Sequence, residues 1–380
     1  MDFSYTEEQQ ALQDSLRRFL GKEYDFEKRK HISRSAAGYS KEHWGKLAEM
    51  GVLGLGIPEA HGGMNGTPVD TLLIMESFGR AMVLEPYLPT VVLGAGLVRD
   101  VGSEAQQAAL LPSIAMGELL LAFAHYEQGS RYALEHVATH AKRAGDGYVL
   151  NGTKSLVLSG AQAGKLIVSA RTSGGVWERT GISLFLVDAS APGVTAHGYV
   201  TQDGGRAAEV KLSDVRVGAD ALLGKEGGAL PVIERAVDLA IAALCAEAVG
   251  AMDALVETTR EYLKTRKQFG QPIGRFQALQ HRMADMLIAT EQARSMAMVA
   301  AVKVQSEDAA ERRRMVSSAK ALVGQSARYV GQQAVQLHGG MGVTDELAAA
   351  HLFKRLTVIN ALFGDADHHL SLVSDALLVA

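Results

Sequence analysis

The sequence predicts an α+β protein in which a helical segment, a sheet segment and a second helical segment follow one another along 380 residues. Apolar residues recur at helical spacing in the first and last parts of the chain. Between them, short runs of β-branched residues are separated by Gly and Asn. At roughly 150 residues per domain, the length suits two to three domains. We expect their boundaries at residues 1–118, 119–225 and 226–380.

The first segment carries signals for several helices. Thr6, with Gln9 three residues later, is a capping-box pattern, and Leu12, Leu16 and Leu20 then recur on one helical face. Further helices are expected at residues 41–50, 70–84 and 88–100 and after residue 104. Residues 51–58 contain three Gly and a Pro, so they are not expected to form a stable helix.

The middle segment has the pattern of a predominantly antiparallel sheet. Strand-like runs lie at residues 148–150, 165–170, 181–187 and 208–212. Asn151 and Gly152 stand between two such runs, and both residue types adopt positive φ readily. We therefore expect a hairpin turn at this dipeptide.

The helical pattern returns near residue 228 and continues to the end of the chain. Pro231 suits the first turn of a long helix that reaches about Thr265. Further helices are expected at residues 275–305, 309–337, 347–361 and 366–378. The most apolar stretch, residues 239–252, is about 14 residues long and contains Glu247, which is short for a membrane span.

Charge and cysteine content exclude some function classes. The chain has 38 Lys+Arg and 42 Asp+Glu, and this near-neutral balance lacks the basic surface that bulk nucleic-acid binding requires. Cys245 is the one cysteine, so no intrachain disulfide and no CxxC zinc site can form. The opening residues MDFS lack the basic and apolar regions of a signal peptide, so a cytoplasmic location is expected.

Five strings in this order and spacing resemble the acyl-CoA dehydrogenases over essentially the whole chain. They are residues 47–55 (LAEMGVLGL), 58–63 (PEAHGG), 151–154 (NGTK), 266–273 (RKQFGQPI) and 336–342 (QLHGGMG). Within the family, residues 363–370 (FGDADHHL) are most similar to the small subunit of pimeloyl-CoA dehydrogenase. The resemblance implies a three-domain fold: an N-terminal helical domain, a middle β-barrel or sheet domain and a C-terminal four-helix bundle.

The resemblance also implies a reaction and its partners. A carboxylate removes the α-proton of an acyl-CoA thioester while the β-hydride passes to N5 of FAD, and an electron-transfer flavoprotein reoxidises the flavin. The implied assembly is a homodimer, a tetramer or a heteromer with a large subunit, and FAD is expected in the gap between the β domain and the C-terminal helices. Two alternatives remain open: a non-catalytic flavin-binding subunit of a heteromer, and an acyl-CoA oxidase-like enzyme.

The catalytic base is missing from both positions that the family commonly uses. Gly364 stands where the usual C-terminal Glu is found, and Ala240 stands at the minority position in the first long C-terminal helix. Glu247 lies two helical turns after Ala240 and is the one charged residue of its apolar stretch. A lone carboxylate there would have a raised pKa, which suits a general base. Asp365 is the competitor, and a Glu247 that faces solvent or pairs with a cation is the structural alternative.

The flavin-contacting positions of the family match residues of two predicted strands. These positions are Phe123, His125, Tyr126, Leu158 and Ser159. The family usually has Thr at position 126 and Trp and Thr at positions 156 and 158, so Leu158 and Ser159 are expected to contribute backbone donors. Packing within the β domain is the alternative for all of them.

The nucleotide half of FAD matches residues of the C-terminal segment. Arg266 and Phe269 match positions that reach the pyrophosphate and adenine, typically of a neighbouring subunit, and a guanidinium suits a diphosphate because it donates paired hydrogen bonds. Gln277 lies one turn into the next helix and is expected to help. Gln336, Gly339 and Gly340 form the matching loop, where glycines let the backbone approach phosphate.

Three further residues, His368, His369 and Arg131, are considered as candidate site residues. His368 and His369 are adjacent and lack a third ligand, so no metal site is expected and they are assigned to the helix surface or the FAD edge. Arg131 follows the flavin strand and is a candidate for binding the second carboxylate of a dicarboxyl-CoA such as pimeloyl-CoA, with a surface salt bridge as the alternative.

Overall fold

The computed structural model describes residues 5–379, so Met1–Ser4, on which the signal-peptide prediction rests, lie outside the described residues. The chain forms two compact units. Among the described residues, the helical unit consists of residues 5–31, Pro68–Val83 and residues 241–379, and the sheet unit consists of Ile32–Thr67 and Leu84–Ala240.

The N-terminal segment is helical, as the sequence predicts. Its helices are α1 (Glu7–Glu23), α2 (Phe26–Arg34), α3 (Lys41–Glu49), α4 (Pro68–Ala81), α5 (Gly96–Val101) and α6 (Glu104–Ala115). The predicted capping box is confirmed, because Thr6 Oγ1 accepts from the Gln9 amide at 3.2 Å and Gln9 Oε1 accepts from the Thr6 amide at 3.1 Å. Residues 51–58 hold only a 3₁₀ turn, Val52–Gly54, and Leu88–Ala95 is a π-helical segment.

The sheet has eight strands within residues 5–379. They are β1 (Leu121–Ala124), β2 (His140–Ala144), β3 (Gly147–Leu158), β4 (Lys165–Arg171), β5 (Ile182–Asp188), β6 (Val194–Val200), β7 (Arg206–Val217) and β8 (Leu222–Leu223). The strand order is β6-β7-β3-β2-β4-β5-β8, and β1 pairs with β4. Most pairs are antiparallel, as predicted, whereas β1 and β4 are parallel, with Phe123 opposite Ile167.

The predicted turn at Asn151–Gly152 is wrong. Both residues lie inside β3, at a register shift against β7. Glycine is required at position 152 for another reason: a Cβ there would lie 2.3 Å from Thr139 Oγ1. The turn that joins β2 to β3 is instead Gly145–Asp146, with Gly145 at φ +63°, which is also a recognised two-residue turn pair.

The C-terminal segment forms long helices close to the predicted bounds. They are α7 (Leu230–Thr265), α8 (Gln277–Lys303), α9 (Ala309–His338), α10 (Ala348–Ala361) and α11 (Ala366–Val379), and a small hairpin, β9 (Lys267–Gln268) with β10 (Gln271–Pro272), follows α7. The apolar part of α7 is longer than the sequence reading allowed, because an 18-residue window meets the hydropathy criterion for a membrane span. Within the protein, 78% of this window is buried, which is typical of a core helix.

Candidate active site

Glu247 lies on α7 and its side chain is buried. The residue is 3% exposed, and Leu244, Cys245 and Ala248 around it on the helix are fully buried. Its carboxylate is not alone, however. Arg355 on α10 donates from Nε to Glu247 Oε1 at 2.6 Å and from a terminal nitrogen to Oε2 at 2.7 Å. The expectation of an unpaired carboxylate is therefore wrong, because a guanidinium from a distant part of the chain binds both of its oxygens.

The backbone at Glu247 is fixed by a close helix crossing. A Cβ on Gly79 of α4 would lie 1.9 Å from the carbonyl oxygen of Glu247, and a Cβ on Gly250 would lie 1.8 Å from the carbonyl oxygen of Glu76. The two glycines therefore let α4 and α7 touch backbone to backbone. This contact holds the carboxylate-bearing turn of α7 in place within the helical unit.

Gly364, where the usual family base would stand, has no room for a side chain. Its φ is +110°, and a Cβ would lie 2.5 Å from His369 Nε2. His369 is fully buried, donates to or accepts from Ser317 Oγ at 3.1 Å through Nδ1, and reaches the Phe363 carbonyl at 3.0 Å through Nε2. Burial, followed by the charge of Lys320, lowers the pKa of His369 to about 3. The expectation that His369 lies on a surface is wrong, because it locks the loop that precedes α11.

Asp365 has a different task from Glu247. Its Oδ1 accepts from the backbone amide of His368 at 2.8 Å, at the start of α11. This is the usual bond of a helix N-cap, in which a carboxylate satisfies an amide that has no partner in the helix. Asp365 is half-buried.

The expected flavin strand is β1 with the residues that follow it. Ala122 and Ala124 point into the core of the sheet, so Phe123 and His125 lie on the opposite face. Their rings stack at 5.3 Å with an interplanar angle of 5°, and Tyr126 lies edge-on to His125. The carbonyl of Tyr126 accepts from the Ser155 amide at 2.8 Å, which joins this segment to β3.

A buried polar network that the sequence reading did not identify supports His125. Lys154 Nζ donates to Glu127 at 2.6 Å and to Ser169 Oγ at 3.0 Å, and Ser169 Oγ lies 2.9 Å from His125 Nδ1. Ser169 Oγ accepts from Lys154, and the direction of its bond with His125 Nδ1 depends on the imidazole tautomer. Burial lowers the pKa of Lys154 to about 8 and that of His125 to about 3. Burial acts to raise the pKa of Glu127, but the charge and hydrogen bond of Lys154, together with hydrogen bonds from Thr139, lower it overall.

The β3 end of the expected flavin site departs from its prediction. Ser159, at φ +52°, donates its amide to the Arg206 carbonyl at 2.9 Å, so this amide is not the free backbone donor that was expected. Leu158 pairs with Ala207 in the β3–β7 ladder. Leu156 also has positive φ and is 40% exposed.

The β9–β10 hairpin presents Arg266 and Phe269 to solvent. Its two-residue turn has positive φ at both Phe269 and Gly270, as a type I′ turn requires. Positive φ is unusual for a bulky residue, and Phe269 is nevertheless 89% exposed. Arg266 is exposed at the base of the hairpin, where its carbonyl accepts from Ile273.

The loop after α9 leaves backbone open at its surface. Gly339 has φ +58° and ψ −139°, a conformation essentially restricted to glycine, and a Cβ on Gly339 or Gly340 would meet nothing within 4 Å. Gln336 and the loop glycines are exposed, as is Gln277 at the start of α8. His338 is buried and donates from Nδ1 to Ala334, which leaves its Nε2 as a buried acceptor with no partner among the described residues.

The side chains and backbone groups at the predicted flavin-contacting positions are chemically suited to binding FAD. The sheet unit offers aromatic and imidazole side chains on one face of β1, with His125 Nε2 buried and without a hydrogen-bond partner of normal geometry in residues 5–379. The helical unit offers an exposed guanidinium at Arg266 and open glycine backbone at residues 339–340. Guanidinium and exposed backbone amides are the groups that bind a diphosphate.

Two further residues named from the sequence, Arg131 and Cys245, are not among the groups suited to binding FAD. Arg131 is exposed, has φ +48° and lies over the Tyr132 ring at 5.6 Å. Cys245 is buried, which raises its pKa to about 12, so it packs in the core as predicted. Among residues 5–379, no group of three or more His, Cys, Asp or Glu side chains could hold a metal ion.

Comparison with known proteins identifies the family. The sequence models of the acyl-CoA dehydrogenase N-terminal, middle and C-terminal domains match residues 6–118, 122–215 and 229–378. The probable acyl-CoA dehydrogenase YngJ of Bacillus subtilis is 30% identical over 360 residues, which cover 93% of each chain. The chain belongs to the acyl-CoA dehydrogenase family. It therefore has the three-domain fold of that family, binds FAD and is an oxidoreductase that dehydrogenates acyl-CoA.

Two solved structures show how closely this acyl-CoA dehydrogenase keeps the family fold. Butyryl-CoA dehydrogenase of Megasphaera elsdenii is 27% identical, with a TM-score of 0.90 and full coverage of both chains. A chain of the ChsE4–ChsE5 complex of Mycobacterium tuberculosis is also 27% identical, with a TM-score of 0.90 and full coverage of both chains. The first is named for one acyl-CoA substrate and the second is a complex of two named proteins.

Proposed function

We propose that this acyl-CoA dehydrogenase uses Glu247 to remove the α-proton of its substrate and releases a trans-2-enoyl-CoA. The observation that carries the proposal is the buried carboxylate of Glu247, fixed by Arg355, in a chain whose two usual base positions hold Gly364 and Ala240. Both of those positions lack a titratable group, and Gly364 cannot accept one without displacing His369. Asp365, the competitor, is engaged at the start of α11.

The residues of the chain bind, orient and move one proton. FAD, when bound, accepts the β-hydride at N5. Phe123, His125 and Tyr126 would hold the isoalloxazine, and Arg266 with the Gly339–Gly340 loop would hold the diphosphate. Glu247 takes the α-proton onto a carboxylate oxygen, and the electron pair of the broken C–H bond forms the Cα=Cβ double bond as the β-hydride leaves.

We also propose a substrate class and partner proteins for this enzyme. The substrate is a dicarboxyl-CoA such as pimeloyl-CoA, whose second carboxylate binds Arg131, and an electron-transfer flavoprotein accepts the electrons. Because Arg266 and Phe269 are exposed, we propose that they reach the FAD of another subunit in a homodimer, a tetramer or a heteromer. A cytoplasmic location also stays a prediction.

A second candidate function is a flavin-binding subunit without its own base. It is favoured by the geometry at Glu247, because Arg355 engages both carboxylate oxygens. Such a subunit would bind FAD and would reduce it only when a partner chain is present.

The deciding experiment is to express the chain alone and titrate it anaerobically with monocarboxyl-CoA and dicarboxyl-CoA thioesters. The proposal expects a yellow protein whose oxidised flavin band bleaches with at least one thioester. A yellow protein that bleaches with none would favour the subunit without a base, and a folded protein that stays colourless after incubation with FAD would contradict both. Turnover in air without an artificial acceptor would indicate an oxidase.

A further inference from the structure

The Arg355–Glu247 pair has the geometry of a fixed side-on ion pair. The Nε and one terminal nitrogen of the guanidinium each bind a different carboxylate oxygen, at 2.6 and 2.7 Å. The Arg355 side chain is 20% exposed and that of Glu247 is 4% exposed. Two parallel bonds fix the plane of a carboxylate, which a single-point cation such as Lys does not do.

Other charged groups of the helical unit lie near this pair, and Lys320 interacts electrostatically with both Arg355 and Asp365. On α9, Lys320 is buried and donates to the carbonyls of Ile359 and Leu362, and burial lowers its pKa to about 8. Asp365 accepts from the His368 amide. These bonds leave Arg355 as the side chain that the structure places on the carboxylate of Glu247.

The charges of α4 near the Gly79 crossing also have their own partners. Glu76 binds Arg17 at 3.1 Å and Arg294 at 3.0 Å. Arg80 pairs with Glu257.

We propose that Arg355 is a positioning residue for proton abstraction, which fixes the plane of the Glu247 carboxylate and the direction of its free lone pairs. This inference rests on the proposed role of Glu247 as the base. Each carboxylate oxygen has two lone pairs, and Arg355 uses one on each oxygen. The other lone pair on each oxygen is free to take the α-proton, so the ion pair and the proton transfer are compatible.

Removing the guanidinium of Arg355 should change how the rate of flavin reduction depends on pH. A buried carboxylate without a partner takes up a proton, because burial disfavours the charged form. An adjacent cation lowers the titration of a carboxyl group by about 1–3 pH units, so the rise of the flavin-reduction rate with pH should move up by about that much in Arg355→Met. The rate should recover as the pH is raised. Arg355→Lys keeps the charge without the paired geometry and should give a smaller loss.

The test compares five variants with the wild type. These are Arg355→Met, Arg355→Lys, Glu247→Gln, Arg355→Met with Glu247→Gln, and Arg294→Met as a matched control that breaks another partly buried ion pair of the helical unit. The rate of flavin reduction is measured against pH by stopped flow. Infrared spectra of the FAD-free protein provide a readout independent of activity. The protonated carboxyl band in Arg355→Met minus the double variant should persist to a higher pH than the same band in wild type minus Glu247→Gln. If Arg355→Met does not fold, the pH profile of Arg355→Lys takes its place.

The outcomes distinguish the role of Arg355 from the role of Glu247. A shifted profile for Arg355→Met, an unshifted profile for Arg294→Met and the infrared band support the proposal. A slow Glu247→Gln variant combined with a wild-type profile for Arg355→Met would overturn the role of Arg355 and leave Glu247 as the base. A profile shifted equally in Arg294→Met would mean that general destabilisation is the cause. If Glu247→Gln reduces its flavin at the wild-type rate, the base assignment itself fails.

Discussion

Glu247 and Asp365 are both carboxylates of the helical unit, yet their surroundings give them different chemistry. Glu247 lies in the middle of a 36-residue helix, is almost fully buried and is held by a guanidinium. Asp365 lies at the start of a helix, is half-buried and is held by a backbone amide. The comparison shows that the neighbours of a carboxylate, rather than its residue type, determine whether it can serve as a base.

The sharpest way to break the comparison is to neutralise Glu247. Glu247→Gln keeps the shape and removes the base, and a general base typically contributes about 10²–10⁴-fold. We expect a loss of that order in the rate of flavin reduction, measured by stopped flow with saturating acyl-CoA, while substrate binding changes little. Asp365→Asn is the matched control and should stay near the wild-type rate. The reverse pattern would move the base to Asp365.

Arg266→Ala tests the contact between Arg266 and the diphosphate of FAD, and it leaves the proposed base Glu247 in place. One hydrogen bond to a charged group contributes roughly 1.5–3 kcal/mol, so the dissociation constant of FAD should rise by about 10- to 150-fold. Lys267→Ala, next to it on the exposed hairpin, is the control and should hold FAD as the wild type does. Equal retention of FAD by both variants would argue against Arg266 as a diphosphate contact, and the measurement is FAD binding by ultrafiltration.

The Gly364→Glu substitution tests whether a base can act at the position that the family usually uses. The positive φ and the contact with His369 predict a loss of about 1–3 kcal/mol in the free energy of unfolding, measured with urea. In a Glu247→Gln background, this substitution should not restore flavin reduction. Rescue of the rate would show that the loop before α11 rearranges and that the local structure does not exclude a base there.

Asp365→Ala tests the capping role directly. Removing an N-cap side chain costs about 0.5–2 kcal/mol, whereas Asn caps about as well as Asp. We therefore expect Asp365→Ala to unfold at lower urea than Asp365→Asn, with both reducing flavin at similar rates. Identical stability of the two variants would mean that the amide bond of His368 does not stabilise α11.

Arg131→Ala is expected to have the smallest effect, and only with one class of substrate. An exposed ion pair contributes about 0–1 kcal/mol, so the kcat/KM for a dicarboxyl-CoA should fall by at most about fivefold. The kcat/KM for a monocarboxyl-CoA of equal length should not change. Equal ratios for both substrates, before and after the substitution, would remove Arg131 from the substrate site.

Local patterns were enough to predict most of the helices. The capping box at Thr6 and the Pro at position 231 mark helix starts that the structure confirms, because these signals act within one turn. The turn at Asn151–Gly152 could not be predicted in this way. Its residues have the right local preferences, but pairing of β3 with β7 and the close approach of Thr139 decide their conformation.

In the candidate active site, too, some features follow from adjacent residues and others depend on residues that are far apart in sequence. The vacant base positions, the exposed hairpin around Phe269 and the loop at Gly339 all follow from strings of adjacent residues. The sequence also drew attention to Glu247, as the charged residue of an apolar stretch. It gave no signal for Arg355, which is 108 residues away, or for the burial of His369 against Ser317.

The sequence by itself determined the family, the order of helical and sheet segments and the residue types available for binding FAD. Periodicity, capping and short motifs are local properties, so they can be read without knowing what packs against them. The tertiary structure decided which charges meet: that Arg355 reaches Glu247, that Lys154 supports His125 and that His369 fills the space beside Gly364. A hydrogen bond or an ion pair depends on distances of about 3 Å, and only the folded chain sets such distances between residues that are far apart in sequence.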